Sequence, residues 1–224
     1  MDIFQLGLFL APTLCARGDM KRLIIFLIIV FLVVPIGLYA LGYHGPRDFS
    51  GTDSLPKSEL VIRNARTLIG TPYDPLMGMY GNMGAKAGFI VCSDVPNIAF
   101  GASGYSWKEV LEKDFKVNSK FYNSDNGNKP GNPFFHRRAR NLYAYFRANG
   151  RLKTGDFKPE VGDLVFYRKS NNGYIAHVAL VSAVTRNGYK LIESAPGTLV
   201  VQEVDQTSPI ERGWIYSGVG SVYH

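Results

Sequence analysis

From Gly155 onward the apolar residues of this 224-residue chain change their period, and that change limits the fold more than any other feature. Before it the spacing is helical. Apolar residues at 61, 62, 65, 68 and 69 give one face to a helix over Ser58–Ile69. Trp107, Val110, Leu111 and Phe115 do the same for residues 105–117, and Leu142, Tyr145 and Phe146 for residues 136–149. Residues 93–100 read as a further helix. Gly70 with Pro72 stops the first helix, and Gly150 stops the last. After Gly155 the runs 163–168, 177–184, 189–194, 198–204 and 213–222 read as strands. The turn formers Asn171-Asn172-Gly173, Asn187-Gly188 and Pro196-Gly197 separate them. Helices followed by antiparallel strands is the α+β pattern: N-terminal helices packed on an antiparallel sheet of five to six strands.

Ahead of this region, Lys21-Arg22 introduces Leu23–Leu41, a run of 19 uncharged residues rich in Ile, Leu, Val and Phe. That length suits a membrane-spanning helix or a long signal-peptide core, and the preceding cations place the remainder outside the cytoplasm. Residues 1–42 are therefore expected to be a signal or transmembrane segment, either cleaved after Gly42 or retained as an anchor, with Met20 an alternative start. Residues 43–57 read as a Gly/Pro-rich linker, and residues 58–224 as the globular domain. Expected locations are periplasmic or extracellular, with the inner membrane if the anchor stays.

The 46% hydrophobic content argues against disorder, and the net charge of +7 favours polyanionic partners. Nucleic-acid motifs are absent, so cell-wall polymer and membrane surface are the expected partners rather than nucleic acid. No metal-ligand spacing or cofactor motif is present. The two cysteines, Cys15 and Cys92, fall on either side of the apolar run, which leaves Cys92 a single thiol rather than part of a disulfide framework.

Cys92 stands at the head of an expected helix in Gly88-Phe89-Ile90-Val91-Cys92-Ser93-Asp94-Val95, and His177 at the head of an expected strand. A helix N-terminus and a nearby imidazolium both favour the thiolate, the form in which sulfur is a nucleophile. Taken singly, Cys92 also reads as a small buried hydrophobe and His177 as an ordinary strand histidine. Of the four histidines, His44 lies in the linker and His224 is terminal, which leaves His136 and His177 as candidate bases.

Three segments resemble the NlpC/p60 superfamily of papain-like cell-wall peptidases: Gly70-Thr71-Pro72-Tyr73, Gly162-Asp163-Leu164-Val165-Phe166-Tyr167 and His177-Val178-Ala179-Leu180-Val181. Cys92-Ser93-Asp94-Val95 and His136-Arg137-Arg138-Ala139-Arg140-Asn141-Leu142 resemble more closely a branch of unknown function within it. The resemblance implies a papain-like fold and a catalytic set of Cys92, His177 and, on the following strand, Glu193, with Ser194 as the alternative third member. It implies oxyanion or substrate-binding roles for Tyr73, Ser93, Asp94, Arg137 and Arg138, and no metal; guanidinium forks suit substrate carboxylates, while His136-Arg137-Arg138 also reads as a solvated helix N-terminus. The chain departs from the superfamily pattern at Val91, where an aspartate is usual, and at Asp74-Pro75-Leu76-Met77, where a tryptophan and paired glycines are usual.

The expected function is that of an exported cysteine hydrolase cutting amide bonds in peptidoglycan stem peptides through a thioester. Left open are a papain-like acyltransferase or lipid hydrolase, a non-catalytic wall-binding module and a wall-degrading antibacterial toxin. The sequence does not fix an oligomeric state.

Overall fold

The computed structural model describes residues 55–78, 85, 87–171 and 173–223, all within the unit that runs from Gly42 to His224. The apolar run Leu23–Leu41 and most of the expected linker lie outside the described residues. Among those described, no helix is long and apolar enough to cross a membrane.

Helix α1 (Ser58–Arg66) buries Val61, Ile62 and Ala65 along one face. It is shorter than the sequence predicts, because Thr67 to Gly70 leave the helix in turns and Gly70 takes a left-handed φ of 87°. Leu68 stays in the core at 1% exposure. The Gly70 N–H instead reaches the Val201 carbonyl, so the chain peels away to form bridges at Pro72 with Val200 and at Tyr73 with Ile90.

Helix α2 (Asp94–Gly101) is buried on nearly every side. Helix α3 (Trp107–Asn118) begins at Ser106, whose hydroxyl accepts the Glu109 N–H, satisfying a donor the first turn leaves open. Helix α4 (Ala139–Ala148) turns Leu142, Ala144 and Phe146 inward. Trp107 ties the helices together, with ring contacts to Phe100, Tyr105, Tyr145 and Phe146 at 5.1–5.6 Å. The expected start of α4 at His136 is corrected to Ala139. The Arg137 N–H closes a turn on the Phe134 carbonyl, and the side chain of Arg137 is drawn out of helical register by a partner on α2.

The sheet has six strands, all antiparallel: β1 (Leu152–Lys153), β2 (Leu164–Arg168), β3 (Ile175–Thr185), β4 (Gly188–Glu193), β5 (Gln202–Asp205) and β6 (Ile215–Gly220), in spatial order β1-β6-β2-β3-β4-β5. The chain is α+β, as the sequence predicts. Three details differ. β1 is too short to show alternation, residues 198–201 turn before β5 begins, and a short helix α5 (Ser208–Glu211) with Pro209 in its first turn occupies the stretch before β6.

Both faces of the sheet carry apolar clusters. Phe166, Val178, Leu180 and Ile192 join the helices, while Val165, Tyr167, Ala179, Val181, Leu191 and Trp214 pack on the other side. His177 follows the second set by its alternation. Gly220 on β6 lies under α4, where a Cβ would collide with the Phe146 ring.

Candidate active site

Cys92 sits one residue before the cap of α2, half-buried, on the wall of a groove of about 520 Å³. Its sulfur is 3.9 Å from the carbonyl of Ala176, the residue before His177. No acceptor among the described residues takes the Cys92 backbone N–H.

Pairing across the β2–β3 ladder sets His177 opposite Tyr167. The imidazole is fully buried, stacked on the Trp214 indole at 5.1 Å and tilted against the Tyr167 ring. Its Nε2 lies 2.7 Å from a carboxylate oxygen of Glu193. Nδ1 is buried and has no hydrogen-bond partner among the described residues. Burial alone would lower the imidazole pKa; Cys92 and Glu193 outweigh it and raise the value to about 9.

The hairpin that delivers Glu193 is fixed by Thr185 opposite Gly188 and Leu180 opposite Ile192. Glu193 is fully buried. Burial opposes its charge, but His177 and Arg212 together hold its carboxyl below the usual range. The alternative third member, Ser194, donates instead to the Ile90 carbonyl, bracing the segment that leads to Cys92.

Arg212 pairs with the second Glu193 oxygen. The sequence reading missed this residue and Trp214. Both follow α5, and the only local signal is Pro209 opening that helix; nothing nearby points to a partner across the sheet.

Tyr73 lines the groove. Burial and then the charge of Cys92 push its phenol pKa up, so the hydroxyl stays protonated as a donor. Its backbone N–H is held by the Leu199 carbonyl at 2.7 Å. Leu199 and Met77, which flank this segment, are the two non-glycine residues at positive φ among those described.

Ser93 and Asp94 do not line the groove. The Ser93 hydroxyl donates to the Arg137 carbonyl. The Asp94 carboxylate accepts the Val91 N–H at 2.8 Å and Nε of Arg137 at 2.7 Å, and Nη2 closes the fork at 2.5 Å. Asn97 completes the junction, donating to the His136 carbonyl. The two motifs Cys92-Ser93-Asp94-Val95 and His136-Arg137-Arg138 are thus halves of one buried clamp around the turn that carries the thiol. Arg137, expected to face substrate, spends Nε and Nη2 inside that clamp, while Arg138 remains on the groove wall. His136 is buried and its pKa falls to about 4, first through burial and then through Arg137. It is not a groove residue, and His177 is the histidine brought to Cys92. Among the described residues, no cluster of three or more His, Cys, Asp or Glu side chains is placed to hold a metal ion.

Residues 73–204, more than half of the chain, match the profile of a family described as "Domain of unknown function (DUF1287)". The chain belongs to this family. The DUF1287 span takes in Tyr73, Cys92, the clamp, His177 and Glu193, and stops short of Arg212 and Trp214. No curated protein matches the DUF1287 chain significantly. Among solved structures it is similar to an NlpC/P60 family protein from Bacillus cereus, at 15% identity and a TM-score of 0.44, over 75% of this chain and 40% of that one. The chain therefore spans less than half the length of that structure.

Proposed function

We propose that this chain is an exported cysteine hydrolase that cuts an amide bond in the peptide part of peptidoglycan, with Cys92 as nucleophile. The observation that carries the reading is the His177 ring. One nitrogen is tied to a buried carboxylate, the other has no hydrogen-bond partner among the described residues, Cys92 helps raise the ring's pKa, and the sulfur lies on a groove wall. A free-standing buried histidine has no need of this arrangement, whereas a nucleophile–base–orienter set requires it. The resemblance of the motifs to NlpC/p60 peptidases supports the substrate class. The apolar run Leu23–Leu41 behind Lys21-Arg22 supports export, with the product either anchored or released.

Acylation in this reading begins at Cys92. The imidazolium beside the sulfur favours thiolate, which attacks the amide carbon. Charge developing on the carbonyl oxygen is received by the Cys92 N–H and the Tyr73 hydroxyl. His177 passes its Nδ1 proton to the departing amine, leaving a thioester on Cys92 and a neutral ring. A water molecule then gives a proton to that ring as it attacks the thioester, releasing the carboxylic acid and restoring the thiolate–imidazolium pair. Glu193 fixes the ring orientation and stabilises the imidazolium throughout, and Trp214 holds the ring plane.

Mass spectrometry of purified muropeptides incubated with the full chain tests this. New amine and carboxyl ends are expected, with an acyl adduct on the Cys92 peptide after acid quenching. Intact muropeptides and an unmodified Cys92 peptide would overturn the reading.

Arg212 acts through Glu193 and is a positioning residue. Arg212→Ala is expected to lower kcat/KM roughly ten-fold, the size of one lost charge-assisted bond. Because Arg212 helps keep Glu193 ionised, the acid limb of the pH profile should move to higher pH while the alkaline limb stays. An acid limb that does not move would reduce Arg212 to packing.

A further inference from the structure

We infer that the groove beside Cys92 carries a subsite for a carboxylate of the peptide substrate, formed by Arg138 and Arg140 at the start of α4 with Lys169 across from them. The identity of the occupant as a peptide rests on the hydrolase reading; the anion preference rests on the groove alone.

Among the described residues, four cations line this groove, Arg137, Arg138, Arg140 and Lys169, and no aspartate or glutamate does. Arg137 is largely neutralised by Asp94, with Asp74 3.9 Å away, yet its Nη1 is buried with no hydrogen-bond partner among the described residues. The other three have no carboxylate partner among the described residues. Each lies over an aromatic face instead: Arg138 over Phe134 at 5.5 Å, Arg140 over Tyr174 at 5.8 Å and Lys169 over Trp214 at 5.4 Å. A ring face holds a cation in place without cancelling its charge.

Arg138 and Arg140 also oppose one another. Arg138 is pushed below its usual pKa, first by burial and then by the Arg140 charge. Both sit at the N-terminus of a ten-residue helix that no side chain caps, where the helix dipole already disfavours positive charge. Folding tolerates this accumulation, and an anion seated there would relieve it through the open N–H groups and both guanidinium forks. A carboxylate on a short peptide, held beside a sulfur in a groove of about 520 Å³, meets these conditions better than a flat membrane surface.

The test is calorimetric titration of the full-length chain carrying Cys92→Ala. The probes are a stem peptide with free carboxylates, the same peptide with those carboxylates amidated, inorganic phosphate, and phosphatidylglycerol vesicles. The free acid is expected to bind about ten-fold more tightly than the amide, with phosphate competing and the preference shrinking as salt is raised. Arg138→Ala and Arg140→Ala should each remove most of the preference, and Arg138→Lys should restore part of it, which separates lost charge from lost packing. Equal affinity for acid and amide would overturn the subsite. So would a preference that survives the Arg138→Ala/Arg140→Ala double variant, or vesicle binding without peptide discrimination. Binding is read here without turnover. A chain that discriminates but never cleaves keeps the subsite and sinks the hydrolase; one that cleaves acid and amide forms alike sinks only the subsite.

Discussion

Protein carrying Cys92→Ala or His177→Ala is expected to cleave muropeptides at least ~10³-fold more slowly than the unaltered chain, with the far-ultraviolet circular dichroism unchanged. Cys92 is the free thiol among the described residues. Removing His177 leaves the Glu193–Arg212 pair intact but with nothing to carry a proton. The two losses should not add, because each residue acts only through the other; the double variant is expected to be no slower than the worse single one. The pH dependence has a definite sign. The folded-state pKa of His177 is raised to about 9 from an ordinary 6.5, so the imidazolium persists through neutral pH and kcat/KM should fall as pH rises through about 9. The same shift contributes stability that is fully present below pH 6.5 and is lost as pH rises through about 9. Glu193 behaves oppositely: its lowered pKa contributes stability above the ordinary carboxylate range that is lost as pH falls through the folded value. Thermal melts across this range should therefore decline on the alkaline side, and His177→Ala should flatten that decline. A His177→Ala protein retaining cleavage within ten-fold of the unaltered chain would show that the base lies elsewhere.

What the sequence made legible is what depends on short-range periodicity. Cys92 ahead of a helix and His177 on an alternating strand are local statements, and the fold honours them because an eight-residue helix and an eleven-residue strand are long enough to express their pattern. Glu193 lay within reach of the same reasoning, but the choice between it and Ser194 needed a register. The Thr185–Gly188 pair closing the hairpin supplies that register. Arg212 and Trp214 were out of reach for the converse reason. Their partners, Glu193 and His177, lie 19 and 37 residues back on other strands, and a four-residue helix carries no period that points to either. The same distance problem hid the role of Arg137: a basic run before a helix reads as a surface, and only its Asp94 partner, 43 residues earlier, turns one of its guanidinium groups inward. Charge pattern proved informative in the residues that found no acid. Arg138 and Arg140, set where a helix dipole disfavours them, are the part of the motif that folding does not explain.

Breaking the clamp between Asp94 and Arg137 is expected to cost about 3–5 kcal/mol in urea unfolding for either Asp94→Asn or Arg137→Met, a large share of a domain's stability. Both side chains are buried, at 0% and 6% exposure, and removing one strands the other as an uncompensated charge. Burial already pushes the Asp94 carboxyl up, opposed by the Arg137 fork and the Val91 N–H, so little margin remains when the fork is lost. The paired substitution Asp94→Asn with Arg137→Met removes both charges and should recover much of the stability, because two buried ions repay their desolvation poorly compared with neutral packing. Recovery of activity should not follow. The clamp joins the Val91 N–H, the first turn of α2 and the Arg137 segment around the residue that carries the sulfur, and a thiol displaced by about 1 Å from its base loses on the order of 10²-fold in rate. The expected signature is therefore a double variant with a near-native urea midpoint and depressed kcat at little-changed KM. If stability and kcat recover together, the clamp is only a folding device; if the single variants unfold within about 0.5 kcal/mol of the parent, the ion pair is too weakly coupled to position anything.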